Sequence, residues 1–548
     1  MKIKVLPFSI ALATTPGCAC AETLVRWIQF APGSTSSALQ AGSYGDAPTG
    51  ATPTILARAL ITQASSGCPP VVLENGVSIT TRPRFDGNSL SSALPTVGGL
   101  DAFVSRTAPG TFAYGDPIAT TDWTVCEAVI PADHVSANID GATLKLPVAT
   151  PRRIVVLADS GCRSAPNEAQ NCHDPAAFPL QRIATEAARL EPDLIVHVGD
   201  YFYRDAPCAP GKNLYGEKQG SITCNNPGSA DYVPWGDTFD AWNGDFFFPA
   251  KDLLQMAPWI MVRGNHESCG RGARGWFALL DAHPYDRTHV ICERNAGAVT
   301  VSGDAPVYSG DFTPTYVVPA GRVRFLVHDS SFATDLTVDS NMARNFDLDL
   351  SNLLSALTPG APAVIATHRP AYALVAGAYD ANGNASGGNR TEQYLFSGHA
   401  SPHSAFASGV TPQSIAFLLS GHVHQFEYLN FADNSRFAPQ LVVGTGGDNL
   451  DYSADPAAPK PPSANAPRIY QFATSGDDPP KKFALQIAPE KAGVAEAALT
   501  NAYAAAEFGF AMLEANPVGF DVQVYDTTGN RKERCEIRLE PRRISCGR

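Results

Sequence analysis

The sequence predicts an α/β fold preceded by a small all-β sandwich, and two patterns predict it. Between Ile154 and Ser420, continuous apolar runs of four to six residues alternate with amphipathic stretches of helical period, the form taken by buried strands of an α/β sheet. Before residue 150 the runs are short, β-rich and broken by Gly, Pro and Ser, with no long helical periodicity. At 548 residues the chain is too long for one core, and its length suggests about three domains.

The elements follow in order. Residues 1–21 read as a signal peptide: Lys2 and Lys4 precede a short apolar run, and Ala19–Ala21 ("ACA") gives a small-x-small cleavage site before Glu22. This predicts a secreted or periplasmic protein. A lipid-anchored Cys18 is the rival reading, but "TPGC" lacks the usual aliphatic residue. Residues 22–150 hold the strand-like runs "TLVRWIQF", "TILARALIT", "DWTVCEAVI" and "ATLKLPV", and "PVATPRR" reads as the linker that follows. Residues 151–450 carry "IVVLA", a helix in "FPLQRIATEAARL", then "DLIVHV", helical "FPAKDLLQM", "WIMV", "RFLVH", a helix around "FDLDLSNLLSAL", "AVIAT" and "IAFLLS", with a polar insertion from Asn384 to Ser414. Residues 451–548 form a C-terminal extension, Ala/Pro-rich and then hairpin-like in "GFDVQVYDTTGNRKERCEIRL", with strands that complete the main sheets.

Composition narrows the partners. A net charge of −13, with no Lys/Arg-rich stripe, argues against nucleic acid as the main partner. Any phosphate must then meet local positive charge, which a bound metal can supply. No further apolar run approaches the ~20 residues of a membrane span. Loss of the leader removes two of 12 cysteines, and sequential pairing of the rest gives short loops at Cys162 with Cys172, Cys208 with Cys224, Cys269 with Cys292, and Cys535 with Cys546. Two N-x-S/T sequons, at Asn384 and Asn389, sit in the polar insertion.

The residues after each apolar run carry the chemistry. "IVVLA" is followed by Asp159 in "DSG", "DLIVHV" by "GDYFY" with Asp200 and Tyr203, "WIMV" by "RGNHE" with Asn265 and His266, "AVIAT" by His368, and "IAFLLS" by "GHVH" with His422 and His424. Ligand sites in open α/β sheets form beyond the carboxyl ends of the strands, so these five clusters face one crevice. Taken singly, each has a plainer explanation as a helix cap, a turn or a surface histidine. Together they are oxygen and nitrogen donors suited to Fe, Zn or Mn.

In this order, D-x-G, G-D-x-x-Y, G-N-H-E, a lone histidine after a strand and G-H-x-H resemble the calcineurin-like metallophosphoesterase superfamily, and within it the purple acid phosphatases. The resemblance covers roughly residues 154–448. It implies two mixed β-sheets flanked by helices, and a secreted enzyme that hydrolyses small phosphate monoesters by direct attack of a metal-bound hydroxide. It further implies two metal ions: Fe(III) held by Asp159, Asp200, Tyr203 and His424, and Fe(II), Zn or Mn held by Asp200, Asn265, His368 and His422, with Asp200 between them. Many metallophosphoesterases carry D-x-H where this chain has Gly161, so Tyr203 stands in for the missing histidine. A phenol of pKa about 10 is a poor ligand for a divalent ion, whereas trivalent iron displaces its proton. The plainer reading of Tyr203 is packing alone.

His266 is expected to bind phosphate or protonate the leaving alkoxide, the alternative being that it only orients neighbouring ligands. His399 and His403 in "SGHASPHSAF" and Arg163 beside the first motif are candidate substrate contacts, against readings as surface histidines and an exposed salt bridge. His328 and Asp329 are expected to be structural. Three alternatives are open: a phosphodiesterase or nucleotidase of the same superfamily, an iron site that pairs Tyr203 with Cys162, and a secreted binding protein with a vestigial metal site.

Overall fold

The computed structural model describes residues 23–33, 52–62, 67–84, 123–165, 169–206, 233–268, 271–284, 306, 312–335, 337–356, 361–376, 389–396, 405–406, 412, 414–431, 437–450, 469–471, 482–486 and 499–547. Two large mixed sheets dominate. The first has eleven strands in the order Arg542–Gly547, Arg531–Leu539, Gly519–Asp526, Gly509–Ala515, Arg153–Leu157, Leu194–His197, Trp259–Met261, Thr23–Ala31, Thr54–Thr62, Trp123–Ile130 and Arg82–Pro83. The second has seven, in the order Tyr316–Ala320, Val323–Val327, Ala363–Ala366, Ile415–Ser420, Gln440–Val443, Phe426–Phe431 and Leu499–Ala505.

Strict alternation within the apolar runs explains how these strands are buried twice over. In Arg153–Leu157, Ile154 and Val156 point between the two sheets, where they meet Val318, Phe325, Val364 and Phe417. Val155 and Leu157 point the other way, onto Leu180, Ile183, Trp242 and Phe246 of the covering helices. The helix Leu180–Arg189 buries Leu180, Ile183, Ala184 and Ala187, one stripe at helical spacing. The outer face of the second sheet is covered by the helix Ser340–Ala356, with Met342, Phe346 and Leu350 against Leu326, Ile365 and Leu418. No helix among the described residues is long and apolar enough to cross a membrane.

All four expected N-terminal runs form strands, and two layers enclose a core of their own that includes Ile28, Ala57, Ile61, Val71, Ile139 and Leu144. The expected boundary near residue 150 nevertheless does not separate two sheets. Thr23–Ala31 lies parallel to Trp259–Met261, with Gln29 opposite Trp259, so one layer of the sandwich continues the eleven-stranded sheet. Two buried arginines fasten the junction. Arg58 donates to Gln29 Oε1 at 2.9 Å, Leu280 O at 3.2 Å and Asp281 O at 2.8 Å. Arg84 donates to Phe277 O and His283 O, and both arginines share Glu127. They thereby satisfy carbonyls at the end of the turn Trp276–Leu280, where a cation also suits the helix dipole.

At the other end of the chain, Leu499–Ala505 adds to the second sheet beside Phe426–Phe431, and Gly509–Ala515 adds to the first beside Arg153–Leu157. Disulfides join Cys68 to Cys126, Cys162 to Cys172 and Cys535 to Cys546. Cys208, Cys224, Cys269 and Cys292, like the leader segment, lie outside the described residues.

Candidate metal centre

Five strands deliver the candidate ligands. Arg153–Leu157, Leu194–His197 and Trp259–Met261 run parallel in the first sheet, and Ala363–Ala366 and Ile415–Ser420 run parallel in the second. Their carboxyl ends are stitched together across the crevice: His422 N donates to Asp159 Oδ2 at 2.8 Å, and Gly421 N to His368 O at 3.0 Å. His368 Nδ1 sits 2.9 Å from Val198 O. Asp159, Asp200 and His422 adopt φ of +54°, +59° and +72°, a left-handed backbone that non-glycine residues rarely enter. Such strain, of order 1–3 kcal/mol per residue, persists where surrounding structure enforces it and clusters at functional sites. Gly199, at φ +100°, has no alternative residue, because a Cβ there would lie 2.4 Å from His368 Nδ1.

The side chains fall into two groups that share Asp200. In the first, the Tyr203 hydroxyl lies 2.8 Å from Asp159 Oδ1, 2.9 Å from Asp200 Oδ2 and 3.0 Å from His424 Nε2. In the second, His368 Nε2 lies 3.1 Å from Asp200 Oδ2 and 3.0 Å from Asn265 Oδ1. Donor atoms of Asp200, His368 and His422 are all within 4.8 Å of one another. Gly161 explains why the tyrosine fits: a Cβ there would approach Tyr203 Cδ2 to 2.9 Å, so the ring occupies the space a side chain at 161 would need.

The electrostatics of the first group call for a cation. Burial, then the charges of Asp159 and Asp200, push the Tyr203 phenol well above its usual value. Burial also pushes the Asp200 carboxyl up, but His368 and His266 hold it well below the usual range. Two buried carboxylates around one hydroxyl are costly to desolvate without a strong positive partner. The residues therefore fit a metal ion.

Residues outside the expected ligand set hold this arrangement. Glu267 accepts the backbone N–H groups of Asp200, Tyr201, Phe202 and Gly264 at 2.8–3.0 Å, which ties the Asp200 loop to the Asn265 loop. Burial and the Asp200 charge push its carboxyl up to about 8, against the pull of those amides. Asp245, in the π-helical turn Asn243–Phe247, accepts Cys162 N and Tyr203 N, each at 2.7 Å, and Arg204 Nε at 2.9 Å. His424 Nδ1 is 2.5 Å from Asn449 O and 3.4 Å from Asp448 Oδ2. "GNHE" signals Glu267, and "GTGGDN" after the strand Gln440–Val443 signals Asp448 by the same strand-end rule that found the ligands. Asp245 has no local signal.

His266 stands at the rim. Its backbone N–H donates to Asp200 Oδ1 at 2.8 Å, and its ring lies over Tyr203 with centroids 3.9 Å apart. Nδ1 is 3.1 Å from Asp205 Oδ2, poorly aligned for a hydrogen bond, and burial lowers the imidazole pKa to about 4.

The remaining candidate residues have these places. Arg163 forms an ion pair, as its alternative reading expected: its guanidinium makes a bidentate pair with the fully buried Asp448 and stacks over the Tyr203 ring at 5.0 Å. Cys162 is in a disulfide with Cys172 and is no thiolate ligand. His328 is interior, 3.1 Å from Thr315 Oγ1 and 3.4 Å from Glu392, and Asp329 pairs with Arg263. Asn389 is buried, with its amide on Asp335 and on Glu392 N as the cap of the helix Arg390–Phe396, so the folded chain cannot offer it to a glycan. His399, His403 and Asn384 lie outside the described residues.

Several known proteins are similar to this chain. Among solved structures, a purple acid phosphatase, PPD1, isolated from yellow lupin (Lupinus luteus) seeds, is 14% identical over 94% of this chain and 74% of that one, with a TM-score of 0.45. PhoD is 11% identical over 97% and 93%, with a TM-score of 0.49. GAP50, the anchor in the inner membrane complex of Plasmodium, is 14% identical over 71% and 89%, at 0.33. No curated protein matches the sequence. The calcineurin-like phosphoesterase family model matches residues 152–426, which include every strand end that brings a ligand to the crevice. The chain belongs to the calcineurin-like phosphoesterases.

Proposed function

We propose that this phosphoesterase is a binuclear metal-dependent phosphatase of the purple acid phosphatase type, acting on small phosphate monoesters. The Tyr203 hydroxyl among Asp159, Asp200 and His424 carries this reading. Asp159, Asp200, Tyr203 and His424 would hold Fe(III), and Asp200, Asn265, His368 and His422 would hold Fe(II), Zn or Mn. The two ions, when bound, would polarise the phosphoryl group and lower the pKa of a water nucleophile.

The protein supplies the rest. Asp205 beside His266 Nδ1 leaves Nε2 for the leaving oxygen, and since burial lowers the imidazole pKa to about 4, Nε2 would carry the proton it gives only in acid. The near-complete burial of the cluster keeps bulk water from competing with the ligands. The three disulfides among the described residues support an oxidising compartment and, with the leader-like residues 1–21, an exported protein.

The test is a metal count and visible spectrum of wild type and Tyr203→Phe, with turnover of p-nitrophenyl phosphate and of its diester. The expected result is a tyrosinate-to-iron band in the wild type alone, with faster monoester turnover. A zinc-only protein with no such band, or preference for the diester, would move the chain to another branch of the family.

A further inference from the structure

His422 is held differently from the other two candidate histidine ligands. His368 and His424 each set Nδ1 against a backbone carbonyl, Val198 O and Asn449 O, which leaves Nε2 for the centre. In His422 the order is reversed. Its Nε2 lies 3.1 Å from Asp335 Oδ2 and 3.2 Å from Arg369 Nη1. A ring nitrogen flanked by a guanidinium is not the one that faces a second cation, so Nδ1 is the atom left for the centre.

Asp335 is in turn fixed. Arg369, the neighbour of His368, forms a salt bridge to Oδ2, and Asn389 Nδ2 donates to Oδ1 at 3.0 Å. None of these three residues belongs to the strand-end motifs. Asn389 also caps a helix and is fully buried, which anchors the carboxylate to a rigid element.

From this geometry we propose that Asp335 is the positioning residue of the second metal: it accepts the Nε2–H of His422, fixes the tautomer that presents the Nδ1 lone pair, and so sets the affinity of that site. The inference rests on the two-metal reading above. A carboxylate on the far nitrogen raises the basicity of a ligating imidazole and fixes its orientation, and loss of such a partner costs about 10- to 100-fold in metal affinity. His368 and His424 take their orientation from a backbone carbonyl, so at all three histidines an oxygen that accepts the far N–H is the working feature.

The experiment uses full-length protein with iron in the first site and the second site emptied by a mild chelator, titrated with Zn2+ against a chromophoric competitor. Bound iron and zinc are counted by elemental analysis, and the iron–tyrosinate absorbance reports whether the first site is intact. Asp335→Ala is expected to weaken zinc binding about 10- to 100-fold with the absorbance unchanged. Asp335→Asn, which keeps an amide oxygen for the Nε2–H, is expected to retain most of the affinity. Zinc binding by Asp335→Ala equal to wild type overturns the inference. So does equal weakening in both variants, since that would make the charge, and not the accepted hydrogen bond, the working feature. Wild-type protein that takes up no second ion overturns the two-metal reading itself, whereas failure of the inference alone appears only in the variants.

Discussion

Asp245→Asn should loosen the first metal site without touching any ligand. The side chain is fully buried, and its two oxygens hold Cys162 N, Tyr203 N and Arg204 Nε within 2.7–2.9 Å. The amide keeps the shape, but whichever way it is turned its NH2 group faces at least one of those N–H donors. An unmet buried donor costs about 1–3 kcal/mol, and loss of one partner from a buried ion pair costs about 3–5 kcal/mol. These overlap, so about 4 kcal/mol is the working figure. Because Asp245 links the loop after Asp159 to the loop that carries Tyr203, the loss falls on the relative placement of those two ligands. The assay is disappearance of the iron–tyrosinate band in urea. With a slope of about 3 kcal/mol/M, 4 kcal/mol lowers the midpoint by about 1.3 M. A midpoint within about 0.3 M of wild type would refute the claim that this carboxylate holds the site together.

Two further perturbations probe other parts of the argument. Gly161→Ala places a methyl group 2.7 Å from Asp245 Oδ2 and 2.9 Å from both Tyr201 O and Tyr203 Cδ2. Overpacking of this kind costs about 1–3 kcal/mol and should displace the Tyr203 ring, read as reduced iron content and a shifted absorbance; an unchanged spectrum would argue against the ring filling that space. Arg58→Met removes the donor to Leu280 O and Asp281 O and half of the support of Glu127. It is expected to destabilise the chain by about 3 kcal/mol in denaturant titration, and a loss below about 0.5 kcal/mol would show the brace to be dispensable.

The candidate ligands were legible because each follows an apolar run, and strand ends are where α/β sheets open to ligands. The supporting residues were less legible because their partners are remote in sequence. Asp335 meets His422 across 87 positions, and Arg163 meets Asp448 across 285. A local motif carries no trace of such a pairing, which is why the sequence leaves Arg163 open between a substrate contact and a salt bridge with no partner named. The strand pairing that crosses residue 150 was hidden for a related reason. "TLVRWIQF" has the alternation of any half-buried strand, and nothing in it reveals that one of its two neighbours is Trp259–Met261 while the other is a strand of its own sandwich. Gln29, polar and fully buried, is the trace of that junction, with its amide donated to Leu280 O at 2.6 Å.

The eleven-stranded sheet has a temporal consequence. The three parallel strands that bring Asp159, Asp200 and Asn265 to the crevice are flanked on one side by Thr23–Ala31 and on the other by Gly509–Ala515, from opposite ends of the sequence. During synthesis, Arg153–Leu157 therefore emerges with one edge unpaired and must wait for almost the whole remaining polypeptide before that edge is covered. Pairings of such long reach are slow to form, because the chain between them must first be confined. A chain not yet extended to Gly509–Ala515 therefore carries the candidate metal site on a sheet whose Arg153–Leu157 edge is still open.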